Sequence, residues 1–292
     1  MPSQASSHRP TLTDGAWGTQ LDALGCPPGH CRELWNLENP ERVRHVAESY
    51  VAAGSQVIIT NTFTGNRVIL SRHGLADKTV ELNRAGAAIS RQAAGKGVRV
   101  FGSMGPSGQI VMMEEISREE LHDAFREQAV ALAEAGVDAL LCETMTELAE
   151  AEIAVRAAKE GTGLPVVASM VFDSGADRCF TSMGDSVEAA AKVLVEAGAD
   201  VLGINCGVGM GQVMVPLRRL REATDRPIWV KPNAGLPELH QGRVVFKESP
   251  EDFASHVPEL VRIGVDYIGG CCGTTPEHIR AVAAALAKLE HG

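Results

Sequence analysis

The chain has 292 residues, of which 45% are hydrophobic and 22% are charged, and its formal net charge is −10. This composition excludes a disordered chain, and an acidic balance without a basic cluster argues against nucleic acid or an anionic membrane as a partner. The N-terminus lacks the apolar segment of a secretory signal, no apolar run reaches the length of about 18 residues that spans a membrane, and the cysteine count is odd at seven. We therefore expect a cytoplasmic protein with reduced thiols.

Taken in chain order, the predicted elements are short apolar strands that alternate with amphipathic helices. A flexible tail at residues 1–10 comes first. Four strands then follow helices that end in glycine, at Gly54, Gly136, Gly198 and Gly264. The strand segments are rich in Val and Ile without polar alternation, which is typical of parallel strands buried on both faces. They lie at residues 11–18, 52–63, 98–106, 134–145, 164–172, 196–207, 226–235 and 262–273.

Several helices between these strands carry start signals, either a capping residue before a proline or a capping box. These are Asn39-Pro40, Ser117 with Glu120, Ser249-Pro250 and Thr275-Pro276. Eight strands alternating with helices predict one α/β domain over residues 11–292, a single (β/α)8 TIM barrel, with an open doubly wound sheet as the alternative. Long loops at Gly25–Pro40 and Ser103–Ile116 would lie at the C-terminal face, where barrel active sites are built.

Three cysteines stand at the ends of two predicted strands. Cys206 ends one strand, and Cys271 and Cys272 end the last, so all three would lie on the same face of the barrel. Adjacent strand residues point to opposite sides, so the backbone must leave strand geometry at the pair, and the glycines around it permit this. Three thiolates with a fourth position open suit a catalytic Zn²⁺ ion. Inert core cysteines, or a vicinal disulfide between Cys271 and Cys272, are the alternatives.

Six stretches of the sequence together resemble the homocysteine-binding methyltransferase family, whose members include betaine-dependent enzymes and the homocysteine module of methionine synthase. They are Asp14–Thr19, Thr60–Phe63, Glu143–Thr144, Gly203–Cys206, Pro232–Gly235 and Gly269–Gly273. The resemblance implies a zinc-loaded barrel that transfers a methyl group to the zinc-bound homocysteine thiolate to give methionine. It also implies that Cys206, Cys271 and Cys272 are the zinc ligands.

The same resemblance implies the residues that hold the substrate. Asp14, Gly15, Thr60 and Glu143 match the positions that bind the amino acid part of homocysteine, and Asn205, beside Cys206, is placed with them. Glu143 would pair with the substrate ammonium, and backbone N–H groups near Asp14 and Gly15 would take its carboxylate. Another thiol or a selenol as the acceptor stays open.

The methyl donor is less determined by the sequence. In betaine-using members, tyrosines after the second and fourth strands help to form an aromatic cage around the quaternary ammonium of the donor. Here those places hold Phe63 and Met145. Trp17 and Trp35 are the candidates for a cation–π contact with a donor. The stretches around Thr60 and Glu143 are closer to the methionine synthase module, which favours a separate methylcobalamin-binding protein as the donor partner. Betaine or a small sulfonium compound is the alternative, and a homo-oligomer stays open.

Two other functions compete with this one. Lys231 ends the seventh predicted strand and could form a Schiff base in aldolase-type chemistry, unless it pairs with a neighbouring acid. The chain could also be a non-catalytic zinc subunit of a methyl-transfer complex. Among the remaining cysteines, we expect Cys26 and Cys31 to be ordinary loop residues and Cys142 to face the helix-side core, while Cys179 has no predicted role.

Overall fold

The computed structural model describes residues 9–240 and 243–290. Most of the tail predicted at residues 1–10 lies outside the described residues, and the first strand begins at Thr11. Within these described residues, ten strands follow one another: β1 Thr11–Leu12, β2 Val57–Ile59, β3 Arg99–Met104, β4 Ala139–Met145, β5 Val166–Met170, β6 Val201–Gly209, β7 Ile228–Asn233, β8 Glu238–His240, β9 Arg243–Val245 and β10 Tyr267–Ile268.

Eight of these strands form one parallel sheet, in the order β1-β10-β7-β6-β5-β4-β3-β2. A parallel bridge between Thr13 and Val57 joins the two ends of this sheet, so the strands close into a barrel. The predicted (β/α)8 barrel is therefore confirmed, and the open doubly wound sheet is wrong. Most of the strands are shorter than the predicted segments, and the antiparallel hairpin of β8 and β9 was not predicted.

Helices alternate with the strands and cover the outside of the barrel. Their bounds are α1 Gly18–Ala23, α2 Trp35–Glu38, α3 Pro40–Ala52, α4 Arg67–Ser71, α5 Thr79–Ala94, α6 Arg118–Glu134, α7 Leu148–Thr162, α8 Val187–Ala197, α9 Met214–Ala223, α10 Pro250–Ser255, α11 Val257–Ile263 and α12 Pro276–Glu290. The hydroxyls of Ser117 and Ser249 accept the cap hydrogen bonds predicted for them, whereas Asn39 occupies its cap position without one. None of the described helices is long and apolar enough to cross a membrane.

An aromatic layer fills the barrel interior. The rings of Phe101 and Trp229 stack at 5.7 Å between centroids, and Tyr267 lies 5.4 Å from Trp229. Side chains two positions apart on a strand share a face, so Ser103 and Lys231 lie above this layer on the same strands. The layer therefore forms a solid floor under the C-terminal mouth of the barrel.

Candidate metal and substrate site

The three predicted ligand cysteines meet at one point near the barrel mouth. The Sγ atoms of Cys206, Cys271 and Cys272 all lie within 4.8 Å of one another, and each side chain is half-buried. Zinc–sulfur bonds of about 2.3 Å in a tetrahedral set separate the sulfurs by roughly 3.8 Å. The cluster therefore has the size and the ligand type of a three-thiolate metal site.

Cys206 reaches this point because the backbone of β6 is irregular. Its φ is 61°, in the left-handed region that a residue with a side chain rarely adopts, and Gly207 follows at 67°. The pairing of β6 with β7 shifts register between Asn205 and Gly209. Cys206 was predicted to end its strand, but β6 continues past it to Gly209, and this irregularity turns the cysteine toward the cluster.

Cys271 and Cys272 reach the cluster because β10 ends early, at Ile268. The backbone N–H of Cys271 donates to Pro232 O at 2.7 Å, and the N–H of Ala234 donates to Cys272 O at 3.0 Å, so the end of β7 and the residue that follows it hold the pair. The predicted departure from strand geometry is confirmed.

The three glycines around the pair act in different ways. Only Gly273, with φ of 80°, has a left-handed backbone. Gly269 and Gly270 instead permit close approach, since a Cβ at Gly269 would overlap Thr13 and one at Gly270 would lie 2.5 Å from Thr274 Oγ1. Backbone freedom was predicted for all three, and for Gly269 and Gly270 the requirement is steric.

The three thiol groups interact with one another, and their pKa values therefore shift in opposite directions. Hydrogen bonds from the thiols of Cys271 and Cys272 lower the pKa of Cys206 to about 3. The same interaction raises the pKa of Cys272 to about 12 and the pKa of Cys271 above its ordinary value. A cation in the cluster would displace the two remaining protons, as metal binding to thiols does.

A cavity of about 310 Å³ lies over the sulfurs and opens at the barrel mouth. Of the predicted substrate and donor residues, Gly15, Thr60, Glu143 and Trp17 line it. Asp14, Asn205 and Trp35 are not among its lining residues. The cysteine cluster and four of the positions implied by the sequence thus share one cavity, and the other three do not line it.

Glu143 lines the cavity together with two other acidic residues, Asp22 and Glu33. It is 5% exposed, and its Oε1 accepts a hydrogen bond of 2.5 Å from Ser103 Oγ. Burial raises its pKa, while Lys231 and the Ser103 hydroxyl oppose that shift. A carboxylate so enclosed, in a cavity that admits a small molecule, favours an incoming cation such as a substrate ammonium. Thr60 is more engaged, since its hydroxyl contacts Thr62 Oγ1 at 2.6 Å and accepts from Ser103 N at 3.0 Å.

Asp14 is fully buried, and its carboxylate is bonded on both oxygens. Oδ1 lies 2.5 Å from Lys231 Nζ, and Oδ2 accepts from Trp17 Nε1 at 2.7 Å and Ile59 N at 2.8 Å. These contacts join the segment after β1 to β2 and β7. The Asp14 side chain therefore organises the wall, and it leaves the adjacent Gly15 backbone facing the cavity.

The pairing with Asp14 decides between the two predictions made for Lys231. Burial acts to lower its pKa, but the charges of Asp14 and Glu143 outweigh burial, so the pKa is raised. A Schiff base needs a neutral amine, and this lysine is held as the ammonium ion. The ion pair with a neighbouring acid is therefore confirmed, and it disfavours the aldolase-type alternative.

Asn205 and Trp35 occupy other places than the cavity wall. Asn205 is fully buried, and its Oδ1 accepts from Ser169 Oγ at 2.6 Å and Thr144 N at 2.9 Å. Its Nδ2 lies 3.9 Å from the sulfur of Cys271, so it supports the cluster. Trp35 is buried in the core, with the guanidinium of Arg42 5.1 Å from its ring.

All seven cysteines are free, so Cys271 and Cys272 form no vicinal disulfide. Cys142 is fully buried in the core, where burial raises its pKa to about 12. Cys26 and Cys31 are buried as well, and in the described part of the chain they join no group of potential metal ligands.

Several residues that shape the site had no predicted role. Tyr50 donates from its hydroxyl to Ala16 O at 2.6 Å, and Thr274 Oγ1 accepts from Ala16 N at 3.0 Å, so both fix the loop after β1. Strand alternation from Phe101 could have indicated Ser103, whereas Tyr50 resembled any other core position of its helix.

Comparison with known proteins agrees with this geometry. The family model for homocysteine S-methyltransferase matches residues 11–286. The chain is 32% identical to a methionine synthase of Mycobacterium tuberculosis over 97% of its own length, and 31% identical to that of Mycobacterium leprae over 98%, but it spans about a quarter (25%) of the length of these relatives. The metallated crystal structure of the homocysteine methyltransferase MmuM from Escherichia coli superposes with a TM-score of 0.80 at 26% identity, covering 95% of this chain and 96% of that one. The chain belongs to the homocysteine S-methyltransferase family.

Proposed function

We propose that this protein is a zinc-dependent methyltransferase that methylates the thiol of homocysteine to give methionine. One observation carries the proposal: three cysteine sulfurs within 4.8 Å of one another form the end of a cavity whose wall also presents a buried carboxylate, Glu143. A thiol group and an ammonium group of one small molecule would meet complementary partners there.

Cys206, Cys271 and Cys272 would hold the zinc ion. Thiolates suit this borderline-soft cation, and three protein ligands leave a position for a substrate sulfur. When bound, zinc lowers the pKa of a coordinated thiol so that the sulfur is presented as the nucleophilic thiolate at neutral pH. The protein supplies three negative charges for two positive ones, and this excess keeps the substrate sulfur electron-rich.

The chain's own residues orient the amino acid part of the substrate. Glu143, held by Ser103, would receive the ammonium. The Gly15 backbone, fixed by the Asp14 network on one side and by Tyr50 and Thr274 on the other, would receive the carboxylate. Both ends of the substrate would then be fixed while its thiol lies at the cysteine cluster, which is the positioning that a methyl transfer requires.

We propose a methylcobalamin-carrying protein as the methyl donor. Large apolar side chains are exposed on the segments that follow barrel strands, and these segments lie at the same face as the cavity. Met112 and Met113, after β3, are 68% and 69% exposed, and Leu239, after β7, is 78% exposed. Such a surface suits contact with a second protein or domain. Trp17 and Phe63 are the aromatic side chains among the lining residues, and Trp17 is fixed to Asp14.

The test compares variants of the zinc-loaded protein. Cys206→Ala should lose both bound zinc, measured by elemental analysis, and methionine formation from homocysteine and methylcobalamin. Cys179→Ala, which removes a buried thiol outside the cluster, should keep both. Turnover by a metal-free Cys206→Ala protein would overturn the proposal.

Two further measurements separate the alternatives. In a cobalt-substituted protein, homocysteine should change the visible absorption spectrum, because its sulfur enters the metal's ligand set. An unchanged spectrum would instead indicate a non-catalytic metal subunit. Parallel assays with betaine, dimethylglycine, S-methylmethionine and dimethylsulfoniopropionate identify the donor, and turnover with one of these in place of methylcobalamin would replace the protein-borne donor.

A further inference from the structure

Lys231 is the one fully buried cation among the residues described as lining the cavity. Its side chain is 2% exposed, it lies in the wall, and it belongs to β7, directly before Pro232, whose carbonyl accepts from the N–H of Cys271. The other lining cation, Arg32, lies at the mouth with 43% of its side chain exposed. Arg32 is also occupied, because it makes two hydrogen bonds to Asp22, at 3.0 and 2.9 Å.

The ammonium group of Lys231 has more donors than its protein partners use. It carries three N–H bonds, and within the described residues its hydrogen-bond acceptor is Asp14 Oδ1 at 2.5 Å. The ring of Trp229 lies beneath it, 5.8 Å from Nζ, and blocks the interior side. The remaining N–H donors therefore face the cavity, which the Gly15 backbone also lines.

Two charged side chains in the cavity wall are complementary to the two charged groups of an amino acid. Glu143 on β4 is negative, and Lys231 on β7 is positive, while the cysteine cluster lies at the ends of β6 and β10. A thiol with an ammonium and a carboxylate would place the first at Glu143 and the second at Lys231. A thiol without a carboxylate would leave Lys231 without that partner.

We propose that Lys231 binds the α-carboxylate of the thiol substrate and so selects an amino acid thiol over thiols that lack a carboxylate. This inference rests on the proposed function and deepens it. The Gly15 backbone can donate hydrogen bonds to a carboxylate but carries no charge, so we assign the recognition of the carboxylate's negative charge to the Lys231 side chain. Asp14 then has two tasks, since it holds the loop after β1 and aims the ammonium of Lys231.

The experiment measures thiol binding to the zinc-loaded protein by calorimetry, which needs no methyl donor. The probes are homocysteine and homocysteamine, the amine thiol that remains when the carboxylate is removed. Lys231→Met should weaken homocysteine binding by about ten- to a hundredfold, the usual effect of losing a charged hydrogen bond. It should change homocysteamine binding less than threefold. Lys159→Met, a lysine paired with Asp200 outside the cavity, is the matched control and should alter neither.

A second variant covers the case in which Lys231→Met does not fold with Asp14 left unpaired. Asp14→Asn combined with Lys231→Met removes both charges and should show the same selective loss for homocysteine. An equal loss for both thiols, in either variant, would show that Lys231 only supports the wall and would overturn the inference. If the wild-type protein bound neither thiol, the proposed function itself would fail.

Discussion

Replacing Asp14 by asparagine tests whether the buried ion pair with Lys231 supports the fold as well as the site. The two side chains are 0% and 2% exposed and 2.5 Å apart. Asparagine would keep an oxygen toward Trp17 Nε1 and Ile59 N, which both bond Oδ2 of Asp14. Its amide nitrogen would then face the ammonium, donor against donor. The variant therefore leaves Lys231 buried without its counter-charge.

Breaking one partner of a buried ion pair costs about 3–5 kcal/mol of folding free energy. A loss of 1 kcal/mol lowers the melting temperature of a large domain by roughly 2–4 °C, so Asp14→Asn should melt at least about 6 °C below wild type. Adding Lys231→Met removes the orphaned charge, and the double variant should regain most of the lost melting temperature. Scanning calorimetry on the metal-free proteins provides the comparison, because zinc would otherwise add its own stabilisation.

The result that would refute this reasoning is a double variant less stable than Asp14→Asn alone. It would mean that the aliphatic stem and ammonium of Lys231 stabilise the wall independently of Asp14. The reasoning would also fail if Asp14→Asn alone melted within about 1 °C of wild type, well below the roughly 2–4 °C expected per kcal/mol. The ion pair would then contribute nothing measurable to stability.

Three other expectations follow from the site. Zinc binding at pH 7 should release two protons, because Cys206 is already ionised while Cys271 and Cys272 are not. Zinc affinity should therefore fall about a hundredfold per pH unit as the pH is lowered toward 5. Calorimetry in buffers of different ionisation enthalpy measures the proton release, and a finding of no release would contradict the expectation. Glu143→Gln should weaken homocysteine binding by about tenfold or more. Binding of mercaptobutyrate, which lacks the ammonium, should stay nearly unchanged. An equal loss of affinity for both compounds would exclude the contact between Glu143 and the ammonium. Gly270→Ala should lose zinc binding while circular dichroism still shows a folded barrel. The alanine Cβ would lie 2.5 Å from Thr274 and displace the adjacent cysteines. Normal zinc content in this variant would show that the loop around Gly270 can shift to make room.

The barrel and the cysteine cluster could be predicted because local signals carry them. Gly54, Gly136, Gly198 and Gly264 all adopt positive φ at the helix ends where the sequence placed them, which fixes the alternation of helices and strands. Once the alternation is known, strand ends share one face, so distant cysteines can be brought together without knowing any distance.

The roles of Asp14 and Asn205 could not be predicted in the same way. Asp14 meets Lys231 across 217 positions of sequence, and that pairing depends on which strands become neighbours when the barrel closes. Asn205 lies in an irregular stretch of β6 where alternation no longer gives the direction of a side chain. The motif marks both as members of the site, but only packing shows that their side chains stand behind the cavity wall and orient the groups in front of it.

Several features of the site are unfavourable for local stability, and they share one explanation, which is preorganisation for ligands. Cys206 keeps a left-handed backbone, Asp14 and Lys231 remain charged without water, and two of the three thiols stay protonated beside a thiolate. Each feature is unfavourable in isolation. Under the proposed function, a divalent cation at the cysteine cluster and a zwitterionic thiol in the cavity would offset these costs. On this proposal, the fold would hold the geometry of the loaded state before its ligands bind, and the surrounding barrel core would keep that geometry from relaxing.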